Sequence, residues 1–287
     1  MTAESILQAG RTAVITGGAS GIGLASARRC AAAGMNVVIA DRDEATLKAA
    51  RRELADLGTG QVQARALDVG QYEAILRLRD EVFDGFGEVA LLMNNAGASF
   101  GGRAFDNYDG WRKTFDVNLW GIVHGVQAFT SRMIEQGSRA LIVNTGSKQG
   151  ITNPPGDAAY NATKAAVKSL TESLAHELRN TEGCQVTAHL LIPGFTYTGL
   201  IQRRLPEKPP GAWTADQVIE HMWRSLEGGA FYILCPDNET PPEVDAKRIL
   251  WGAGDLIEGR PALSRWSPEF KAAFEAHMAQ PLPRPRS

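Results

Sequence analysis

The chain has 287 residues, of which 44% are hydrophobic, so it can bury the core of one large α/β domain. Its formal net charge of −2 gives no electrostatic reason to expect a nucleic acid or an anionic membrane as a partner. The 3 cysteines are scattered and odd in number, which predicts reduced thiols in a cytoplasmic protein, and no metal-ligand spacing joins them to the 5 histidines. We expect no signal peptide, because residues 1–5 show no basic region followed by an apolar core. We expect no membrane span, because no apolar run approaches the ~20 residues that a span requires.

Short apolar segments alternate with helical segments along the chain. The predicted strands are residues 12–15, 36–40, 61–67, 89–93, 140–144, 186–192 and 231–234. The predicted helices are residues 21–33, 44–57, 72–86, 108–136, 158–179 and 215–226. Repeated βα units with fully apolar strands predict a parallel sheet that helices cover on both faces.

The domain prediction follows from where this alternation stops. No linker interrupts residues 1–200, and residues 206–211 are typical of a loop. We therefore predict one domain over residues 1–235, which includes a substrate loop near 195–213, and a C-terminal extension over residues 236–287. In the extension only residues 268–278 show a helical pattern. The extension could cover a neighbouring subunit, close over a site, or pack on its own domain.

A glycine-rich turn follows the first predicted strand directly. Gly17, Gly21 and Gly23 have the spacing G-x-x-x-G-x-G. Such a turn lets the backbone approach a pyrophosphate, and the helix that begins near Gly21 directs its positive end at the same place. Ser20 can add a hydroxyl donor. A tight turn without a ligand is the alternative, and the strand–turn–helix order favours the nucleotide site.

Polar residues end the next three predicted strands, where open parallel sheets bind ligands. Asp41 can accept hydrogen bonds from an adenosine ribose and repel a 2′-phosphate, which favours NAD over NADP. Arg42 could instead bind that phosphate, or be a surface charge. Asp68, followed by Val69, could accept from an adenine amino group or cap the next helix. The small residues of Asn94-Asn95-Ala96-Gly97 permit close approach of a cofactor.

Tyr160 and Lys164 lie four residues apart on the predicted helix 158–179, so their side chains share one face. A free tyrosine ionises near pH ~10, and a cation one turn away lowers its pKa by favouring the phenolate. The pair can therefore serve as a general acid and base for a hydroxyl or carbonyl group. An ordinary amphipathic pair is the alternative when these two residues are considered alone.

Together these motifs resemble the short-chain dehydrogenase/reductase family over about residues 10–200. The matching motifs are Thr16-Gly17-x-x-x-Gly21-Ile22-Gly23, Asn94-Asn95-Ala96-Gly97, Val117-Asn118-Leu119, Ser147, Tyr160-x-x-x-Lys164 and Pro193-Gly194-x-x-x-Thr198. The resemblance implies an α/β fold, namely a Rossmann-type doubly wound parallel sheet of about seven strands with helices on both faces. It also implies a homodimer or homotetramer.

The resemblance implies roles for single residues. Tyr160 is the acid and base, Ser147 holds the substrate oxygen, and Lys164 lowers the tyrosine pKa and binds the nicotinamide ribose. Asn118 holds a water that connects Lys164 to solvent. The implied cofactor contacts are Gly17, Ser20, Gly21, Ile22, Gly23, Asp41, Arg42, Asp68, Val69, Asn95, Ala96, Gly97, Tyr160, Lys164, Pro193, Gly194, Thr196 and Thr198. Taken singly, Ser147 could be a turn serine, Asn118 a satisfied buried amide and Thr198 a helix cap.

The expected substrate contacts are Ser147, Gln149, Tyr160, Phe195 and Tyr197. Together with Ile151 and Trp213, these aromatic and apolar side chains favour an apolar or aromatic secondary alcohol or ketone.

The roles of several charged residues near the expected substrate contacts stay open in the sequence. Lys148 and the pair Arg203-Arg204 could bind an anionic group of the substrate or simply face solvent. Asp157 could tune Tyr160 or cap its helix.

The predicted function is an oxidoreductase that transfers a hydride between NAD(H) and a secondary alcohol or ketone, with Tyr160 as acid and base. NADP is the less favoured cofactor, and no metal is expected. The alternatives are an NAD-retaining epimerase or dehydratase of the same family, an NADP-dependent carbonyl reductase, and a non-catalytic cofactor sensor.

Overall fold

The computed structural model describes residues 5–202 and 205–282. Within these residues the strands are β1 (Thr12–Thr16), β2 (Asn36–Asp41), β3 (Val62–Ala66), β4 (Leu91–Asn94), β5 (Ala140–Thr145), β6 (Val186–Ile192) and β7 (Tyr232–Leu234). They form one sheet in the order β3-β2-β1-β4-β5-β6-β7, and every neighbouring pair is parallel. The predicted parallel sheet of about seven strands is confirmed.

Helices connect the strands and extend beyond the sheet. They are α1 (Gly21–Ala32), α2 (Glu44–Ala55), α3 (Tyr72–Phe86), α4 (Tyr108–Phe115), α5 (Gly121–Glu135), α6 (Gln149–Thr152), α7 (Ala158–Asn180), α8 (Gly199–Gln202), α9 (Ala215–Glu227), α10 (Pro242–Glu258) and α11 (Lys271–Ala279). In the parts of the chain that the structure describes, no helix is long and apolar enough to cross a bilayer.

The strands divide their side chains between two cores, one on each face of the sheet. Ala13 and Ile15 of β1 belong to the core that α1, α2 and α9 cover, whereas Val14 between them belongs to the core beneath α3, α5 and α7. All three side chains are fully buried. Because full burial of a valine or isoleucine stabilises the fold by about 1.5–3 kcal/mol, strands that are apolar on both faces specify a doubly wound sheet.

The strand order reverses at β1, which pairs with β2 on one side and β4 on the other. The chain leaves β1 towards α1 on one face and leaves β4 towards α5 on the opposite face. This divergence opens a crevice at the carboxyl ends of the two strands, which is where ligands bind in open α/β sheets.

The long helical stretch predicted over residues 108–136 is present, with a local change of helix type in its middle. A π turn, Asp116–Trp120, separates α4 from α5. Its hydrogen bonds join residues five apart instead of four, and hydrophobic periodicity does not resolve so local a change. Such turns are frequent at functional sites, and this one contains Asn118.

The prediction that only residues 268–278 are helical in the C-terminal extension is wrong. Residues 268–278 do form a short 3₁₀ turn followed by α11, but α10 adds 17 residues of helix before them. Pro242 lies in the first turn of α10, where a missing N–H costs no helical hydrogen bond. The proline-rich composition therefore marks the start of this helix and does not exclude it.

Candidate active site

Tyr160, Ser147 and Lys164 meet beyond the carboxyl end of β5. Ser147 lies two residues after this strand, and α7 carries the other two side chains. The Ser147 hydroxyl lies close enough to the Tyr160 phenol to lower its pKa, and Lys164 Nζ lies 5.7 Å from the centre of the tyrosine ring. Lys164 Nζ also donates to the Thr145 carbonyl oxygen at 2.8 Å, which ties α7 to the end of β5. The structure thus brings together the three side chains that the resemblance singles out.

Asp157 fixes the beginning of α7. Its Oδ1 accepts from the Tyr160 backbone N–H at 3.1 Å, and its Oδ2 accepts from Ser99 Oγ at 2.5 Å. Asp157 is therefore the helix cap that was one of its two expected roles. Its charge also raises the pKa of Tyr160, so the second expected role applies as well.

Burial sets the proton affinities of the pair. Burial raises the pKa of Tyr160, the nearby Ser147 hydroxyl opposes that rise, and the Asp157 charge adds to it. Burial alone lowers the pKa of Lys164 from 10.5 to about 8. The sequence predicts a tyrosine pKa lowered by Lys164, whereas the largest influence on this phenol in the structure is burial, which acts in the opposite direction.

Replacement of Lys164 by methionine is expected to stabilise the fold at pH 7. The lysine pKa is about 8 in the folded chain against 10.5 ordinarily, so below pH 8 the buried charge destabilises the fold. Since one pKa unit corresponds to about 1.4 kcal/mol, and the Thr145 carbonyl loses its donor, we expect a net gain of ~1–2 kcal/mol. Between pH 8 and 10.5 the wild type deprotonates on folding and the advantage shrinks. Urea unfolding at pH 7 and pH 10 measures both values.

The matched control is Lys168→Met, which removes a more exposed lysine one turn further along α7, where it pairs with Glu172 at 2.7 Å. Its effect should be small and nearly equal at the two pH values. A Lys164→Met protein that is less stable than wild type by the same amount at both pH values would contradict the burial argument.

The Asn118 side chain joins the π turn to the loop that follows β4. Its Oδ1 accepts from the Ala98 N–H and its Nδ2 donates to the Ala98 carbonyl oxygen, both at 2.8 Å. The same Nδ2 lies 3.3 Å from Thr163 Oγ1 on α7. The side chain is thus a buried amide with satisfied bonds, and it holds Gly97 beside Lys164. A role for Asn118 in holding a water stays a prediction.

The glycine turn between β1 and α1 is built for close backbone packing. Gly17 has φ +63°, and a Cβ atom there would lie 2.8 Å from the Ala96 Cα. A Cβ atom on Gly23 would lie 2.2 Å from the Gly17 carbonyl oxygen. Ser20 is exposed at the start of α1, its hydroxyl makes no cap bond, and the first turn carries no acid. This helix end therefore suits the pyrophosphate of a dinucleotide.

Asp41 reaches the glycine turn from the end of β2. Its Oδ2 accepts from the Ala19 N–H at 3.3 Å and its Oδ1 from the Arg42 N–H at 2.7 Å. Arg42 is exposed, and among residues 5–202 and 205–282 it forms no ion pair. Asp68 is exposed and accepts from the Gly70 N–H at 2.9 Å, while Val69 is buried. Both acids thus order the turns at the mouth of the crevice.

Asn95 ties three strand ends together. Its Nδ2 donates to the Thr16 carbonyl oxygen at 3.2 Å, and its Oδ1 accepts from Thr145 Oγ1 at 3.2 Å. Thr16 Oγ1 in turn accepts from the N–H groups of Asn95 and Ala96. The glycine motif included Thr16 without a role for it, and no pattern singled out Thr145, because nothing local distinguishes either from other buried strand threonines. Their position between three strands is visible only in the fold.

The segment after β6 lies across the crevice. A Cβ atom on Gly21 would lie 3.2 Å from the Thr198 side chain, so Thr198 borders the glycine turn. Its carbonyl oxygen accepts from the Ile201 N–H at 2.8 Å, so it also begins α8. Thr196 is buried and donates to the Gly194 carbonyl oxygen at 3.2 Å. The Pro193 carbonyl oxygen accepts from the Lys148 N–H at 3.1 Å, which joins this segment to the Ser147 loop.

The expected substrate residues border the same region. Gln149 is exposed, and its N–H donates to Ser147 Oγ at 3.2 Å. Phe195 is 37% exposed, so its ring is available to a ligand. The Tyr197 hydroxyl donates to the Pro206 carbonyl oxygen, and Trp213 N–H donates to the Phe195 carbonyl oxygen at 2.9 Å. Residues 195–202 and 205–213 of this loop are therefore held by its own side chains and backbone.

The two roles considered for Lys148 are both wrong. Lys148 does not face solvent or await an anionic substrate, because its Nζ lies 2.5 Å from Asp245 Oδ2 and 3.3 Å from Asp237 Oδ2. Both acids lie in the C-terminal extension, about ninety residues away, so no local pattern predicts this pairing. The other proposed anion ligands, Arg203 and Arg204, lie outside the described residues.

Comparison with known proteins gives a consistent assignment. Residues 11–209 match the family described as short chain dehydrogenase. A 1-deoxy-11-beta-hydroxypentalenate dehydrogenase from Streptomyces exfoliatus is 36% identical over 78% of this chain and 82% of its own length. The crystal structure of a short-chain dehydrogenase/reductase from Burkholderia phymatum in complex with NAD is 35% identical, with a TM-score of 0.79 over 88% of this chain and 96% of that one. A metagenomic short-chain oxidoreductase in complex with NADP is 30% identical, with a TM-score of 0.66 over 80% and 98%.

The family match covers well over half of the chain, and it spans the glycine turn as well as the tyrosine, serine and lysine that meet beyond β5. The chain belongs to the short-chain dehydrogenase/reductase family, whose members use a nicotinamide nucleotide, and it is an oxidoreductase that acts on CH–OH groups.

Proposed function

We propose that this enzyme oxidises an apolar or aromatic secondary alcohol, or reduces the corresponding ketone, with NAD(H). The observation that carries the proposal is the cluster of Tyr160, Ser147 and Lys164 beyond the carboxyl end of β5. The glycine turn at the start of α1 lies at the same edge of the parallel sheet. A dinucleotide whose pyrophosphate binds this turn can therefore extend to the tyrosine.

Each of the three side chains has its own role in the oxidation. The Tyr160 phenolate takes the proton from the alcohol oxygen while a hydride leaves the carbon. Ser147 donates a hydrogen bond to that oxygen, where negative charge develops. Lys164 favours the phenolate and binds the nicotinamide ribose. NAD⁺, when bound, supplies the hydride acceptor, and reduction is the reverse of each transfer.

Asp41 supports NAD as the cofactor. Its carboxylate is held at the end of β2 by the N–H groups of Ala19 and Arg42, beside the glycine turn. A carboxylate here accepts from ribose hydroxyls and repels a 2′-phosphate. Arg42, which forms no ion pair among residues 5–202 and 205–282, is the feature that favours NADP. Solved relatives hold NAD in one case and NADP in another.

Replacement of Asp41 by asparagine is expected to shift cofactor preference towards NADP. The amide keeps the shape and the acceptor oxygen but removes the charge that repels a 2′-phosphate, so the ratio of kcat/KM for NAD to that for NADP should fall about tenfold or more, equivalent to ~1.4 kcal/mol. Asp56→Asn, an exposed acid at the far end of α2, is the control and should leave the ratio unchanged. A wild type that already prefers NADP would refute the NAD assignment.

The substrate proposal rests on the aromatic side chains of the loop over residues 195–213 and on the relative from Streptomyces exfoliatus, whose name describes a dehydrogenase of a hydroxypentalenate. The test supplies purified enzyme with NAD⁺ or NADP⁺ and a panel of cyclic, aromatic and short linear secondary alcohols. Appearance of reduced cofactor with bulky apolar alcohols is expected. Bound cofactor without turnover of any alcohol or ketone counts against the proposal. Tightly co-purifying NAD without net reduction indicates an epimerase or dehydratase instead.

We further propose that residues 1–235 form the NAD(P)-binding domain with its substrate loop, and that residues 236–287 are an appended extension. A homodimer or homotetramer in the cytoplasm is the arrangement that the family resemblance favours. Light scattering of the purified chain measures the assembly state, and a monomer at micromolar concentration would exclude both assemblies.

A further inference from the structure

A buried ion cluster joins the C-terminal extension to the loop that carries Ser147. Lys148 directly follows this serine, and its Nζ lies 2.5 Å from Asp245 Oδ2 and 3.3 Å from Asp237 Oδ2. The three side chains are only 13%, 4% and 9% exposed, in that order. Asp237 comes three residues after β7, and Asp245 lies in the first turn of α10.

The charges of this cluster are buried, so its ion pairs differ in energy from those on a protein surface. Withdrawing an ion from water costs several kcal/mol, and a buried pair offsets this only when its geometry is close. Removal of one partner leaves an unpaired buried charge, which is strongly unfavourable. Asp237 and Asp245 therefore hold Lys148 firmly, and with it the backbone between Ser147 and α6.

Asp237 also reaches the segment after β6. Its Oδ2 accepts from the Phe195 N–H at 3.4 Å. A Cβ atom on Gly194 would lie 2.8 Å from the same oxygen and 2.9 Å from Lys148 Nζ. The cluster thus packs directly against the Pro193-Gly194 turn, and only a glycine leaves room for it.

The next residue, Asn238, fastens the substrate loop. Its N–H donates to the Gly211 carbonyl oxygen at 3.0 Å, and its Nδ2 donates to the Pro210 carbonyl oxygen at 2.7 Å. The beginning of the extension therefore contacts three segments at once: the Ser147 loop, the turn after β6 and the base of the substrate loop.

We propose that Asp237 and Asp245 are positioning residues, which act through Lys148 to hold Ser147 and the Gly194-Phe195 backbone in the geometry that hydride transfer requires. A displacement of reacting groups by about 1 Å can lower a rate by ~100-fold, so a tether this close to Ser147 affects the chemical step. The kinetic part of this inference rests on the proposed function.

The kinetic test compares Asp245→Asn and Lys148→Met with wild type. Asp245→Asn keeps the shape and removes the shorter ion pair, while Asp237 still neutralises Lys148, so the variant is expected to fold with a broken tether. We expect kcat to fall about 10–100-fold in each variant, while the dissociation constant for NADH changes less than about threefold. The double variant should lose no more than the worse single variant, because both changes break one tether.

The matched control is Lys247→Met in the same helix. Lys247 Nζ pairs with Glu243 at 2.8 Å and donates to the Met278 carbonyl oxygen at 2.8 Å, so its loss disturbs α10 without reaching the cluster. Its kcat should equal that of wild type. An unchanged kcat in folded Asp245→Asn, or an equal loss in Lys247→Met, would overturn the inference.

Hydrogen–deuterium exchange tests the tether without any substrate. Amides of residues 146–153 and 193–197 should exchange faster in Asp245→Asn than in wild type, while amides of β1 and α1 should not change. Unchanged exchange in the first two segments would refute the tether even if no substrate were found. If the wild type is inactive but these amides exchange faster in Asp245→Asn than in wild type, the result counts against the proposed function alone.

Discussion

Replacement of Tyr160 by phenylalanine is expected to lower kcat by about 10³-fold or more, because it removes the group that exchanges a proton with the substrate oxygen. The ring, its packing on α7 and the nearby Lys164 all remain. Affinity for NADH should therefore change little, and kcat should fall far more than KM rises. Stopped-flow reduction of cofactor with an active secondary alcohol, together with fluorescence titration of NADH, measures both quantities.

Tyr232→Phe is the matched control. This tyrosine also bonds a residue of α7, since its hydroxyl contacts Glu172, and that contact raises its pKa to about 12. It lies on the edge strand β7 and is half exposed. Its loss should leave kcat within about twofold of wild type, because surface hydrogen bonds contribute little. Activity retained by Tyr160→Phe would show that the acid and base is a different residue.

Replacement of Gly23 by alanine is expected to weaken cofactor binding strongly. The added Cβ atom would lie 2.2 Å from the Gly17 carbonyl oxygen and 2.7 Å from Asn95 Nδ2, so the glycine turn has to move. Forced displacement in a packed site costs about 1–3 kcal/mol of folding stability. The moved turn no longer presents its N–H groups to a pyrophosphate, so we expect NADH affinity to fall at least ~100-fold, equivalent to ~2.7 kcal/mol.

Gly252→Ala provides the comparison for this change. Gly252 lies in α10, and a Cβ atom there meets nothing within 4 Å. Alanine at an exposed helix position should be neutral or stabilise the fold by up to about 1 kcal/mol, with cofactor affinity unchanged. Thermal unfolding with and without NADH distinguishes the two variants. If Gly23→Ala bound NADH as wild type does, the turn would not be the pyrophosphate site.

The strands and most helices were predictable because they depend on local patterns. The strand predicted at 140–144 is β5, Ala140–Thr145, and the one predicted at 89–93 is β4, Leu91–Asn94. A run of apolar residues between turns predicts a strand that is buried on both faces of the sheet, wherever it occurs in the chain. Helix α10 was missed because prolines occupy its N-cap (Pro241) and its first position (Pro242), and a proline can either begin or interrupt a helix.

The polar residues of the site also include some whose pairing is local in the sequence and some whose contacts depend on the fold. Tyr160 and Lys164 are four residues apart on one helix, so their pairing is local. The functions of Asn118 were open in the sequence, because an amide in a helix can bond to any loop that folds against it. In the structure it bonds Ala98, and Asp157 both caps α7 and raises the pKa of Tyr160.

The sequence by itself determined the α/β class, the glycine turn and the tyrosine–lysine pair, since each depends on residues within a few positions of one another. Only the tertiary structure decided what Lys148 does. Its partners Asp237 and Asp245 lie about ninety residues further along, and β6, β7 and α10 must pack before the three charges meet. A charge in a sequence has no defined partner until folding removes it from water, and burial then requires that a partner be close.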